Sequence, residues 1–259
     1  MNCKIVTEQI VDWLKRKMVM AKVNGFVVGI SGGIDSAVVS ALCMKTGLPV
    51  CLVSLPIHQP KSHLYRASDH IDWILDGING FNCWSLTLDL TTAFEVFVMS
   101  FGDSLIADLA QVNLRSRLRT SALYALANTH NYLVAGTGNK IEDYGIGFFT
   151  KYGDGGVDLS PIGDLTKTEV RELARYLGIN QEIIDAAPTD GLWEDDRSDE
   201  EQIGATYEEL EWAMDHLYYD RSGDNLTDRQ KQVLAIYRQR HNASQHKMTM
   251  PPICVVNKE

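Results

Sequence analysis

Phe26-Val27-Val28-Gly29-Ile30-Ser31-Gly32-Gly33-Ile34-Asp35-Ser36-Ala37-Val38-Val39-Ser40-Ala41-Leu42 is an apolar run, a glycine turn and a helical run in immediate succession. The apolar run reads as a buried strand, and the segment after Asp35 as a helix that follows it. Glycines let the backbone take positive φ and approach a ligand closely. The free N–H groups that open the helix then face negative oxygens, and the helix dipole adds to the attraction. A Walker A loop would close on Gly-Lys-Ser/Thr, its lysine reaching the phosphates. Here Ile34-Asp35-Ser36 stands in that place, so the loop offers hydroxyls, amides and a carboxylate but no cation. Such a loop can hold pyrophosphate, with Asp35 available to a metal ion that neutralises it.

Outward from this loop, strands and helices alternate. Strands are expected at 26–30, 50–55, 82–86 and 132–135, and helices at 4–22, 35–46, 62–76, 90–100, 103–129, 167–177, 206–217 and 227–242. In the first helix Ile5, Ile10, Leu14 and Met18 or Val19 form the apolar stripe. The alternation predicts an α/β fold, a doubly wound, mostly parallel sheet with helices on both faces. Ligands of such sheets sit at the carboxyl ends of strands, where the segments starting at Gly29, Pro56 and Gly136 all lie. Residues 145–163 are irregular and rich in glycine and aromatics, the kind of long loop that tends to carry function. Ser198-Asp199-Glu200-Glu201 has the form of a capping box that ends the acidic stretch 188–201, which reads as a solvated lid. His246-Lys247 is expected in an extended tail before Pro251-Pro252.

The composition excludes several classes of protein. Across 259 residues, 45% are hydrophobic and 22% charged, which is ordinary for a globular chain. No apolar run approaches the roughly 20 residues needed to cross a bilayer, and the N-terminus lacks the basic-then-apolar pattern of a signal peptide. Cys3, Cys43, Cys51, Cys83 and Cys254 are scattered without a Cys-x-x-Cys pair, which argues against a zinc site or disulfide framework and suits a reducing cytoplasm. The net charge of −10 disfavours a nucleic-acid surface.

The loop Ser31–Ser36 resembles the pyrophosphate loop of the N-type ATP pyrophosphatases, which share an adenine nucleotide alpha hydrolase-like fold. Several further motifs resemble the NAD⁺ synthetase family within that superfamily. They are Gly136-Thr137-Gly138-Asn139-Lys140-Ile141-Glu142, Gly147-Phe148-Phe149-Thr150-Lys151-Tyr152-Gly153-Asp154-Gly155-Gly156-Val157-Asp158, Pro161-Ile162-Gly163-Asp164-Leu165-Thr166-Lys167, Ala187-Pro188-Thr189-Asp190-Gly191-Leu192 and His246-Lys247. The resemblance runs from about residue 5 to 252. It implies ATP-dependent ligation of nicotinate adenine dinucleotide (deamido-NAD) with ammonia, through an acyl-adenylate, giving NAD⁺, AMP and pyrophosphate. Residues 1–259 are then expected to form one synthetase domain, without the nitrilase-like glutaminase domain of larger family members.

The same resemblance implies a set of site residues. Gly29, Ile30, Ser31, Gly32, Gly33, Ile34, Asp35 and Ser36 would hold ATP, with Thr137, Lys167 and Thr189. Asp35 and Glu142 would bind magnesium, and Asp35 and Lys167 would be catalytic, Lys167 supplying the cation that the first loop lacks. Arg117, Lys151, Asp158, His246 and Lys247 would contact deamido-NAD, and Gln59 lies where the superfamily places the adenine. Asn113 and Arg117 share one helix face, Arg115 and Arg119 an adjacent one. Two departures stand out. Many relatives read Gly-Thr-Asp-His-x-x-Glu where this chain has Gly138-Asn139, and the spacing from Glu142 to Lys151 includes one extra residue near Tyr144. Other adenylating pyrophosphatases predict a cysteine nucleophile or an RNA-binding extension, and a nucleotide-sensing module would not need Glu142, Lys151 and Lys167 together. The family implies a homodimer with substrate sites near its interface.

Overall fold

The computed structural model describes residues 1–77, 82–102, 106–189, 198–219 and 225–257. The Asn2 side chain accepts a hydrogen bond from Ile5 N–H and starts α1 (Cys3–Ala21). Its buried stripe is Thr7, Val11 and Leu14, supported by Ile10 and Met18, whereas Ile5 is 49% exposed. Spacings of four and three keep those residues on one side of a 3.6-residue helix, and Ile5 falls off that side.

β1 (Gly25–Gly29), α2 (Ile34–Lys45), β2 (Val50–Ser54), α3 (Lys61–Leu75), β3 (Cys83–Thr87), α4 (Thr91–Met99), α5 (Asp108–His130) and β4 (Tyr132–Val134) follow. The strands form a parallel sheet in the order β3-β2-β1-β4. The chain steps from β1 through β2 to β3, then returns to lay β4 on the other side of β1. That reversal opens a crevice at the carboxyl ends of β1 and β4, the usual ligand position of a doubly wound sheet. Both faces are covered, as parallel strands require. Phe26, Val28, Val50 and Leu52 pack with α1 and α2, while Val27, Cys51 and Val53 pack against Ala127 and Leu123 of α5.

After β4 the chain makes a bridge from Ala135 to Leu159 and a π-helical turn, Lys140–Ile146, capped by the Asn139 side chain. A π turn holds more residues per turn than an α turn. α6 (Lys167–Leu177) starts at a Thr166–Glu169 capping box. Then come α7 (Gln181–Asp185), α8 (Asp199–Ile203), α9 (Tyr207–Tyr218) and α10 (Asp228–Met248). The Ser198–Glu201 capping box opens α8 as its sequence predicts. Residues 190–197 of the acidic stretch lie outside the described residues. A separate apolar cluster joins Ile141 and Ile146 of the π turn to Tyr207, Leu210, Val233 and Tyr237. Among the described residues, no helix is long and apolar enough to cross a membrane.

Two expectations are corrected. α5 begins at Asp108, not 103, and α10 runs on to Met248. No glycine or proline interrupts 228–248, so nothing stops the helix until the extended Thr249 that precedes Pro251. His246 and Lys247 consequently sit in its last turn, where cations favour the dipole, and not in an extended tail.

Between α2 and α3, Ser40 Oγ and His70 Nε2 lie 2.8 Å apart, both residues buried. Burial pushes the His70 pKa down from 6.5 to about 4, and its Nδ1 has no partner. A folded pKa below the unfolded one contributes stability that is present above pH 6.5 and lost as pH falls through 4. The gap corresponds to roughly 3 kcal/mol. Thermal melts at pH 7 and 4.5 should show a smaller drop in His70→Gln than in the wild type, and equal drops would remove the assignment.

Candidate active site

The turn between β1 and α2 is shaped by its own serines. Ser36 Oγ donates to the Gly33 carbonyl at 2.9 Å, and the Ser31 hydroxyl lies 3.1 Å from it and accepts from Gly33 N–H at 3.2 Å. Gly32 has φ +82°, and its carbonyl accepts from Arg66 Nε at 3.0 Å, which seats the turn on α3. The turn forms one wall of a cavity of about 640 Å³, within the range of small-molecule sites.

Three charged side chains from three distant segments meet in this cavity. Lys167, the first residue of α6, sends its Nζ to Asp35 Oδ2 at 2.6 Å and to Glu142 Oε1 at 3.0 Å. Lys167 is only 2% exposed. Burial opposes all three charges, but the two carboxylates hold the Lys167 ammonium above its ordinary range. Burial raises Asp35. At Glu142 burial acts the same way, yet Lys167 and the Tyr207 hydroxyl together hold that carboxyl below its usual range. Each carboxylate also has its own neutral anchor. Asn139, fully buried, donates from Nδ2 to Asp35 Oδ1 at 3.2 Å while its Oδ1 accepts from the Ile141 and Glu142 N–H groups. Tyr207 donates its hydroxyl to Glu142 Oε1 at 2.6 Å, and its ring lies 4.8 Å from Lys167 Nζ.

A second network fixes the glycine-aromatic loop onto α5. Ser116 Oγ donates to Asp154 Oδ1 at 2.5 Å, Thr150 N–H donates to the same oxygen at 3.0 Å, and Thr150 Oγ1 donates to Asn113 Oδ1 at 2.7 Å. Arg119 donates to the Leu55 carbonyl at 2.9 Å and to Gln59 Oε1 at 2.8 Å, so α5 also braces the loop after β2. Lys247 donates to the Phe149 carbonyl at 2.8 Å and to that of Gly147.

The expected residues divide into two groups. Gly29, Ile30, Ser31, Gly33, Ile34, Asp35, Ser36, Thr137, Glu142, Lys167, Thr189 and Lys247 all line the cavity, together with Gln59. Gly32, Arg117, Lys151, Asp158 and His246 are absent from its lining. Arg117 Nε donates to the Lys151 carbonyl at 3.2 Å, and Lys151 Nζ donates to the His246 carbonyl, a chain of contacts outside the cavity that ties α5 to the end of α10. Asp158 accepts from Val134 N–H at 2.9 Å and from the Tyr124 hydroxyl at 3.1 Å, which pins the end of β4.

Comparison with known proteins decides the family. The profile described as NAD synthase matches residues 6–251. The chain belongs to the NAD synthase family. It is similar to the NH(3)-dependent NAD(+) synthetase of Carboxydothermus hydrogenoformans, 39% identical over 97% of this chain and 98% of the other. Among solved structures it is similar to an NMN synthetase from Francisella tularensis, 33% identical with a TM-score of 0.85 over 100% of both chains. It is also similar to an NH3-dependent NAD synthetase from Campylobacter jejuni, 25% identical with a TM-score of 0.77 over 98% of this chain and 100% of the other.

Within this NAD synthase site, sequence reasoning missed Tyr207 and Asn139 and undervalued Arg119. An Asn just before the π turn was readable as a cap, but its reach to Asp35 was not. Tyr207 looks like an ordinary core aromatic in sequence. Asp35 and Glu142 have the donor chemistry for magnesium, which is usually held by one or two carboxylates plus phosphate oxygens and water. Among the described residues no group of three or more His, Cys, Asp or Glu side chains could hold a metal ion alone.

Gly138 packs directly against the π turn. A Cβ at Gly138 would lie 2.0 Å from Asp143 Oδ2, so the Asp143 carboxylate fills that space. Burial, followed by the nearby Glu142, pushes Asp143 up to about 8. Gly138→Asp should therefore destabilise the chain by about 1–3 kcal/mol. Adding Asp143→Ala should recover most of the loss in a double-mutant cycle of denaturant midpoints, and additive losses would contradict the shared space.

Proposed function

We propose that this NAD synthase family member uses ATP to amidate the nicotinate carboxylate of deamido-NAD with ammonia, yielding NAD⁺, AMP and pyrophosphate. The observation that carries the reading is the meeting of Asp35, Glu142 and Lys167 beside the Ser31–Ser36 turn, in a cavity that Thr137 and Thr189 also line. The nicotinate carboxylate attacks the α phosphorus, forming the acyl phosphate bond as the bond to the bridging oxygen breaks and pyrophosphate leaves. Ammonia then attacks the acyl carbon, the carbon–oxygen bond to AMP breaks, and one proton departs. The amides and hydroxyls of the turn hold the pyrophosphate, and Lys167 stabilises charge at the α phosphate. Magnesium, bound by Asp35 and Glu142, would neutralise the phosphates. The Arg117–Lys151–His246 chain and Lys247 hold the dinucleotide beside the cavity, with Asp158 keeping the end of β4 in place for it. Positioning and charge neutralisation supply most of the rate.

Kinship with the Francisella protein supports a second reading, in which the same carboxylate is presented on nicotinate mononucleotide. Purified protein incubated with ATP, magnesium and ammonium should release pyrophosphate and AMP when deamido-NAD is added, with NAD⁺ appearing in equal amount. A kcat/KM at least about tenfold higher (1.4 kcal/mol of transition-state preference) for the mononucleotide assigns the second reading. Failure of either substrate to elicit AMP release removes both. Free thiols at all five cysteines support a cytoplasmic setting. The exposed Val96, Phe97, Met99 and Leu109 of α4 and α5 support the homodimer, which light scattering after gel filtration would test.

A further inference from the structure

The Lys167 ammonium occupies the cation position between two carboxylates that the proposed function gives to magnesium. Its Nζ is within hydrogen-bond distance of both Asp35 Oδ2 and Glu142 Oε1. Each carboxylate also has a second, neutral partner. Asn139 holds Asp35 through its other oxygen, and Tyr207 holds Glu142 from α9. Asn139 also accepts from the backbone of the π turn that carries Glu142, so it fixes both acids relative to each other. The cradle is thus rigid, while the cation in it sits at the end of a four-carbon stem that can move within the same cavity.

We propose that Lys167 is an exchangeable counter-ion: it holds the metal site closed until a metal–nucleotide complex enters, then leaves the carboxylates and pairs with the α phosphate. An ammonium and a dication drawn to the same two oxygens repel each other, so they compete for the cradle. Metal alone gains only the two carboxylates and must take both of them from the lysine. Metal with ATP brings phosphate oxygens for itself and a new anionic partner for Lys167, so the exchange becomes favourable only then. The consequence is ordered loading: the free enzyme takes up metal weakly, and the lysine arrives at the α phosphate only once the metal is in place. This inference rests on the proposed metal reading of Asp35 and Glu142. Its test needs no nicotinate substrate or turnover, so it can fail while the ligase reading stands.

Manganese binding without nucleotide, followed by electron paramagnetic resonance, reads the competition directly. Lys167→Ala should bind manganese at least about tenfold more tightly than the wild type. Manganese alone should raise its melting temperature and leave that of the wild type unchanged. Equal or weaker binding by the variant overturns the proposal. Because two buried carboxylates without their cation can unfold the chain, a crystal structure of the wild type with manganese and α,β-methylene-ATP supplies an independent reading. Lys167 Nζ is expected beyond hydrogen-bond distance of both carboxylates and close to the α phosphate. A lysine still bridging Asp35 and Glu142 with the metal–nucleotide bound overturns the proposal.

Discussion

Asp35→Asn should lower the rate of pyrophosphate release by about three orders of magnitude while leaving the melting temperature within a few degrees of the wild type. The two halves of this result have separate causes. Asp35 lies in the first turn of α2, facing the cavity, with one oxygen on Asn139 and the other on Lys167. In the wild type one ammonium serves two carboxylates. Removing one charge leaves Lys167 paired with Glu142 alone, at 3.0 Å and anchored by Tyr207, so no buried ion loses its partner. Breaking a buried pair costs about 3–5 kcal/mol only when it strands a charge. In the proposed reading the catalytic half has no such compensation, because Asn would offer a neutral oxygen to the dication and to developing charge on the phosphates. Circular dichroism melts beside a pyrophosphate-release assay check both. Activity within tenfold of the wild type would take the metal role from Asp35, and loss of the folded signal would make the residue structural.

Gly32→Ala is expected to raise the KM for ATP by about a hundredfold and to destabilise the chain by about 2–4 kcal/mol. The backbone there has φ +82°, a region a side chain enters only with strain. An added Cβ would also lie 2.4 Å from the His63 carbonyl oxygen and 3.2 Å from Ala67 N. Those atoms belong to the backbone of α3 and cannot rotate away, so the turn must lift from the helix and lose the Arg66 contact to the Gly32 carbonyl. Gly33→Ala is the control one position along. Its φ is −96° and the nearest neighbour of its Cβ is the Ser31 hydroxyl at 3.3 Å, so it should be tolerated several times better. Nucleotide titrations and denaturant midpoints of the two variants separate these cases. Equal effects would show that flexibility, and not the α3 contact, is what the turn requires.

Much of the fold was legible because its signals are local. Burial on both faces makes β1 and β2 continuous apolar runs, and the glycine turn after β1 announces the crevice. The capping box at Ser198 marks where α8 begins. The boundaries that failed did so for an equally local reason. Propensity and polarity suggested a tail after residue 242, but a helix stops only where a breaker or a lost partner stops it. At α10 the chain meets neither before Met248.

By itself the sequence determined the fold class, the glycine turn after β1 and most of the cavity wall from Ser31 to Thr189. These follow from short-range patterns and from motifs that keep fixed spacing within one segment. Which groups touch was decided only by the tertiary structure. Lys167 is 132 residues from Asp35, and Tyr207 is 65 from Glu142, so no periodicity links them. The sheet's reversal between β1 and β4 brings the first turn of α2 beside the π turn, and the start of α6 closes over both. Charge pairing in a buried site depends on angstrom distances, and only packing sets them. The lysine missing from the opening turn is thus supplied through space, from the first residue of α6.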